Sequence, residues 1–234
     1  MTGVARKCGE MAIRGLIQTT IWFVVMAAIL FGAAGSWDWP QAWIFLAESW
    51  ISACIVGVWL ARHDPALLEA RLSRFHPDQK PWDRIFLVGA IIGYLGWITL
   101  IALDAGRFRW SRTPLPAQGL GFLLIASCMA LVWLVFRSNS FAAPQVRLQA
   151  DRGQRVITGG PYRIVRHPMY AAALLYFIGV PLLLGSLWGL LPIPIFVAAL
   201  GARAVGEERM LRQALPGYDD YARRVRFRLV PGVW

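Results

Sequence analysis

An all-α integral membrane fold with about six transmembrane helices is what this sequence predicts, on three observations. Hydrophobic residues make up 57% of the 234 and charged residues only 16%, far from the usage of a soluble domain. Continuous apolar runs approach the roughly 20 residues that cross a bilayer, and they do not alternate as the strands of a membrane barrel do. Basic residues gather at the ends of those runs, where topology signals sit. The net charge of +11 therefore reads as membrane orientation, and no nucleic-acid partner is expected.

The first run, residues 16–34, follows Arg6, Lys7 and Arg14. Nineteen residues is long for the core of a cleaved signal, so it reads as a retained span. Trp37, Asp38, Trp39 and Pro40 make an interfacial turn before a second span at 41–61. Glu48 lies inside that span, where an ionisable group is costly unless it faces protein or water. It either makes a packing hydrogen bond or lines a pocket. A polar connector at 62–84 holds a short interfacial helix at 66–75. Spans follow at 85–103 and 119–136, separated by a polar connector at 104–118 that contains Pro114 and Pro116. After a long connector, spans at 169–184 and 187–204 are joined by the tight break of Gly185 and Ser186, so they form a C-terminal helical hairpin. The tail from residue 206 is polar, basic and aromatic. No repeat divides the chain, which reads as a single membrane domain over 1–234.

Three basic residues precede the first span, five lie in 62–84, six in 137–168 and seven from Arg203 onward. Only Arg107, Arg109 and Arg112 lie on the other side. The positive-inside rule then places both termini and the 154–170 loop in the cytoplasm. Cys8, Cys54 and Cys128 are too scattered for a disulfide framework, and no His or Cys spacing suggests a metal; His63 and His76 read as loop residues.

The loop at 154–170 is where chemistry concentrates. Pro168 suits the first turn of a helix, whose free N–H groups and positive dipole end would face Arg166 and His167, a ready site for a carboxylate or phosphate. Gly159 and Gly160 permit a tight turn or close approach to a ligand. At the far end of the hairpin, Arg203 and Glu207 are four residues apart, as are Glu208 and Arg212, and each pair shares a helical face. They form either two surface ion pairs or the charged floor of a pocket. The hairpin brings them near His167 and Tyr170. Residues 139–149 are expected to line the loop, and Tyr218 and Tyr221 to fold the tail over it.

Gly160-Pro161-Tyr162-Arg163-x-x-Arg166-His167-Pro168-x-Tyr170, followed by Glu207-Glu208-x-x-Leu211 and Pro216-Gly217-Tyr218-x-x-Tyr221, resembles the isoprenylcysteine carboxyl methyltransferase family, which belongs with the membrane phospholipid methyltransferases. The resemblance covers about 149–234. It implies a cytoplasmic cofactor pocket in a methyltransferase-like core, 137–234, that holds S-adenosyl-L-methionine, with a lipophilic substrate entering from the bilayer along a path shaped by the four spans of 1–136. Gly159, Gly160, Pro161, Tyr162, Arg166, His167, Pro168, Met169, Tyr170 and Glu208 are then the expected cofactor-binding residues, with Arg203 and Glu207 the catalytic pair. Tyr162 or Tyr170 would stack on adenine or face the sulfonium, and Glu207 or Glu208 would bind the cofactor's ammonium. The expected acceptor is a membrane lipid or lipidated substrate: an isoprenylcysteine-type carboxylate, a headgroup amine or a thiol. The expected location is a bacterial inner membrane. The front half carries no motif of the family. Two alternatives stay open, an NADPH-dependent sterol-type membrane reductase and a non-catalytic lipid-binding module of the same fold.

Overall fold

The computed structural model describes residues 2–73 and 77–234, with side chains from residue 9 onward. Among these residues it is helical throughout, without strands. Prolines set where helices begin, because the first helical N–H has no partner inside the helix and its loss costs nothing there. Pro40 opens α2 (Pro40–His63), Pro65 opens α3 (Pro65–Leu72), Pro81 opens α4 (Pro81–Ile101) and Pro168 opens α6 (Pro168–Leu184). The others are α1 (Thr2–Ala34), α5 (Leu115–Ser138), α7 (Ile193–Ala214) and α8 (Tyr218–Arg224).

Among the described residues, five helices are long and apolar enough to cross a membrane: α1, α2, α4, α5 and the segment from Trp188 through α7. The expected fifth span, α6, has 17 residues, about 25 Å at 1.5 Å per residue and a little short of a full crossing. Several boundaries depart from expectation, with α4 beginning at Pro81 and α5 at Leu115, each ahead of the spans expected from 85 and 119. The connector at 104–118 begins as helix, since α4 continues into a more widely wound π-helical segment, Ala102–Phe108. The polar residues from 206 to 214, expected in the tail, complete α7. The interfacial helix expected at 66–75 is α3, while Phe75 and His76 lie outside the described residues.

The bundle's tightest seam joins α5 and α6. A Cβ on Gly121 would come within 2.4 Å of the Leu183 backbone nitrogen, and one on Gly179 within 2.9 Å of the Gly121 carbonyl oxygen. Lipid tails are as apolar as leucine, so contact between membrane helices depends on such small residues bringing backbones together. The expected hairpin forms, but α6 packs chiefly on α5 and only lightly on α7. Polar links add to the seams: Gln41 donates to Gln118 across α2 and α5, and the Tyr94 and Tyr176 hydroxyls meet at 2.7 Å between α4 and α6. Ile85, Leu120, Leu123 and Ile195 stand exposed on the outside, as expected of a surface that meets acyl chains.

Two knots close the ends of the bundle. At one, Asp104 is wholly buried and accepts from the Ser111 backbone N–H and hydroxyl, the Ser186 hydroxyl and the Trp188 N–H, tying the π-helical segment to the turn after α6. Gly185 ends α6 at φ +93°, a left-handed turn that glycine alone makes without strain. At the other end, the loops and α7 come together.

Candidate functional site

Three segments converge at that second end: the loop 139–167, the C-terminal half of α7, and the tail beyond α7. Between them lies a cavity of about 250 Å³. Arg71 of α3 lines it, together with Asn139, Phe141 and most of the loop to Ile157, then Tyr162, Arg166 to Tyr170, Arg203, Glu207, Met210, Tyr218 and Tyr221. Of the twelve site residues expected from the sequence, eight reach its wall: Tyr162, Arg166, His167, Pro168, Met169, Tyr170, Arg203 and Glu207. Gly159, Gly160, Pro161 and Glu208 do not.

The glycines act through the backbone. Gly160 holds φ +56° and passes so near the end of α5 that a Cβ would strike the Ser138 hydroxyl. That approach turns the chain into the short helical turn Gly160–Arg163, which delivers Tyr162 to the cavity. Asn139 donates to the Tyr162 hydroxyl at 2.7 Å, and the Tyr221 hydroxyl donates to the Tyr162 carbonyl at 2.9 Å. Burial pushes the Tyr162 phenol above its usual range, and the phenols of Tyr218 and Tyr221 shift the same way for the same cause. All three rings are neutral walls at physiological pH.

The expected pairing of Glu208 with Arg212 does not form: Glu208 is 3% exposed and gripped by other residues of the chain. Arg166 donates to it at 2.7 Å, His167 Nε2 lies 3.1 Å away, and Arg228 donates to both carboxylate oxygens at 3.2 Å. Arg212 pairs with Asp219 instead. The backbone N–H groups of Arg166 and His167, just before α6, donate to the carbonyls of Phe227 and Arg228 in the tail. The Arg166 and His167 side chains are therefore turned to a protein carboxylate and their backbone N–H groups to protein carbonyls.

Arg203 and Glu207 share a face of α7 but do not pair with each other. Arg203 meets Asp83 at 2.8 Å, donates to the Pro144 carbonyl, and lies over the rings of Phe86 (4.9 Å) and Tyr170 (5.7 Å). Asp83 is fully buried in the first turn of α4 and also accepts from the Val146 N–H and from Gln79, each at 2.8 Å. Glu207 keeps 29% of its side chain exposed and accepts from the Tyr170 hydroxyl at 2.7 Å. The His167 ring stacks parallel on Tyr170 with centroids 5.2 Å apart, between the two glutamates. Loop residues and α7 are thus locked together through α6.

Sequence reasoning missed Asp83, Arg71 and Arg228. Asp83 fell within the polar connector expected at 62–84, where an acid carries no signal. Arg71 and Arg228 were counted among the topology charges. Elsewhere, His63 ends α2 stacked on Trp59. Glu48 resolves toward the pocket alternative: its carboxylate oxygens have no hydrogen-bond partner among the described residues, and it lines an apolar groove between α2 and α5 with Ile51, Ile55, Phe122 and Met129.

Comparison with known proteins bears on this end of the molecule. Residues 117–216 match the family described as phospholipid methyltransferase. The chain is 29% identical over 129 residues to the nickel-cobalt-cadmium resistance protein NccN of Alcaligenes xylosoxydans xylosoxydans, covering 54% of this chain and 57% of that one. It is 23% identical over 251 aligned positions to the Delta(24(24(1)))-sterol reductase of Gibberella zeae, covering 94% of this chain and 36% of that one. The chain thus spans under two thirds of the length of either relative. The matched stretch holds α5, α6, α7 and the loop between them, the parts that build most of the cavity wall. The stretch 117–216 is thus similar to the phospholipid methyltransferase family, in agreement with the resemblance read from the motif.

Proposed function

We propose that the chain transfers a methyl group from S-adenosyl-L-methionine to a lipophilic acceptor that reaches the cavity from the bilayer. The observation that carries this reading is the convergence of Tyr162, His167, Tyr170, Arg203 and Glu207 on one small cavity at the end of a membrane bundle. The residues fit such a cofactor. Glu207 is the wall's one carboxylate among the described residues, a partner for an ammonium. Tyr162 and Tyr170 present neutral aromatic faces, which suit a sulfonium or an adenine ring.

When bound, the cofactor supplies an electrophilic methyl carbon on a positively charged sulfur. The protein's part is then positioning and exclusion of water. The Arg203 guanidinium is held by Asp83 and Pro144 through Nε and Nη2, which leaves Nη1 without a partner among the described residues. In this reading it steers an anionic acceptor, a carboxylate or thiolate. An amine acceptor must lose a proton as well as gain a methyl, and Glu207 is the base within reach.

The Gibberella relative aligns with nearly the whole chain and is named a sterol reductase, so NADPH is the competing ligand. Calorimetric titration of detergent-purified protein with S-adenosylhomocysteine and, separately, with NADPH tests both. Saturable binding of the first alone supports the methyltransferase. Binding of NADPH alone replaces it with the reductase, and binding of neither by folded protein leaves the non-catalytic module.

A further inference from the structure

The cavity wall is rich in arginine, and most of that charge is already spent. Arg166 is held by Glu208, Arg203 by Asp83, and Arg147 lies 3.4 Å from Asp151. Arg155 is exposed to solvent. Arg71 differs from all of them. It comes from α3, outside the stretch matched to the family, and has no acidic partner among the described residues. Its Nη1 donates to the Ala142 carbonyl at 2.8 Å and its guanidinium lies 4.5 Å over the Phe136 ring, which fixes the group against the wall. Burial pulls its pKa down to about 10, yet it remains charged at neutral pH. A half-buried cation on a cavity wall, fixed but without an acidic partner among the described residues, lacks an anion.

Beside His167, the Arg166 and His167 side chains are already engaged by Glu208 and their backbone N–H groups by tail carbonyls. Arg71, Tyr162 and Glu207 all line this one cavity, so the unpaired cation and the wall's carboxylate face the same space. An α-amino acid carries an ammonium and a carboxylate on one carbon and matches that pair. Resting on the methyltransferase reading, we propose that Arg71 receives the carboxylate of the cofactor's amino-acid end while Glu207 takes its ammonium, so that the front half of the chain completes the cofactor site.

The test compares S-adenosylhomocysteine with 5′-deoxy-5′-(3-aminopropylthio)adenosine, which lacks only the carboxylate, by calorimetry on the full chain in detergent. The wild type should prefer the first by about 10- to 100-fold, the range for a charge-assisted hydrogen bond. Arg71→Gln should erase that preference by weakening the first ligand and leaving the second unchanged, and Arg71→Lys should restore part of it. Equal affinity of the wild type for both compounds overturns the assignment without any variant. So does an Arg71→Gln protein that keeps the preference. Normal cofactor affinity with a raised KM for an anionic acceptor moves the anion to the acceptor and also overturns it. A wild type that binds neither compound overturns the methyltransferase reading itself, and this assignment with it.

Discussion

Asp104 and Asp83 are both fully buried, at opposite ends of the bundle, and they are satisfied in different ways. Asp104 collects four neutral donors, two from Ser111, one from Ser186 and one from Trp188. Its influence stops at the turn it ties. Asp83 takes two neutral donors and an arginine, and that arginine stands on the cavity wall. Stability alone does not call for the arginine, since a buried ion pair rarely outperforms a well-packed apolar one. A carboxylate with neutral donors closes a fold; a carboxylate with a cationic donor sets the electrostatics of a site. Glu208, with two arginines and a histidine, is the second case in stronger form.

The largest effect is expected from Glu208→Ala. It strands the Arg166 guanidinium in a buried setting and removes the partner of His167 and Arg228, a loss of about 3–5 kcal/mol for breaking a buried pair. Thermal unfolding in detergent should show a large drop in midpoint, with ligand binding lost in proportion to the folded fraction. A folded, stable variant that has lost only ligand affinity would return Glu208 to the ligand.

The paired substitutions Asp104→Asn and Asp83→Asn come next and test the comparison directly. Each replaces a carboxylate oxygen that accepts from several donors by an amide nitrogen that cannot, at a cost of about 2 kcal/mol. Similar losses of stability are expected. Only Asp83→Asn should also change ligand affinity or turnover, because only there does a released cation face the cavity. Equal functional loss in both would show that the difference between the two ends is not functional.

How much of this the sequence disclosed depends on the range of the interaction. The helix start at Pro168 was legible, as were the spans, because both are local effects of a missing N–H and of apolar run length, whereas the start of α4 at Pro81 was not. The loop with Tyr162, His167 and Tyr170 was legible from its motif, and the meeting with Glu207 from the shortness of the turn after α6. Partner choice was not. Spacing of four suggested Arg203 with Glu207 and Glu208 with Arg212, pairs worth little at a surface. The fold instead joins Arg203 to Asp83, 120 residues away, and Glu208 to Arg166, 42 away. Burial decides such pairings, and burial is a property of the assembled helices. The tail's hold on Arg166 and His167 was equally hidden, since it depends on backbone carbonyls that no side chain announces.

The smallest effect on stability is expected from Glu207→Gln, and it is the most informative about function. Glu207 is partly exposed and its one close donor is the Tyr170 hydroxyl, which an amide oxygen still accepts. The change should therefore cost under about 1 kcal/mol of stability, in the range of a neutral hydrogen-bond exchange. It removes the wall's one negative charge among the described residues and leaves the arginines in place. Affinity for S-adenosylhomocysteine, which carries an ammonium, should fall about 10-fold, while affinity for an uncharged adenosine thioether such as 5′-methylthioadenosine should hold. A parallel fall for both ligands would mean that Glu207 acts by holding Tyr170 and the His167 ring stacked on it. Its carboxylate would then belong with Glu208 to the frame that shapes the cavity, and the comparison between the two ends would have to be drawn with Arg203 alone.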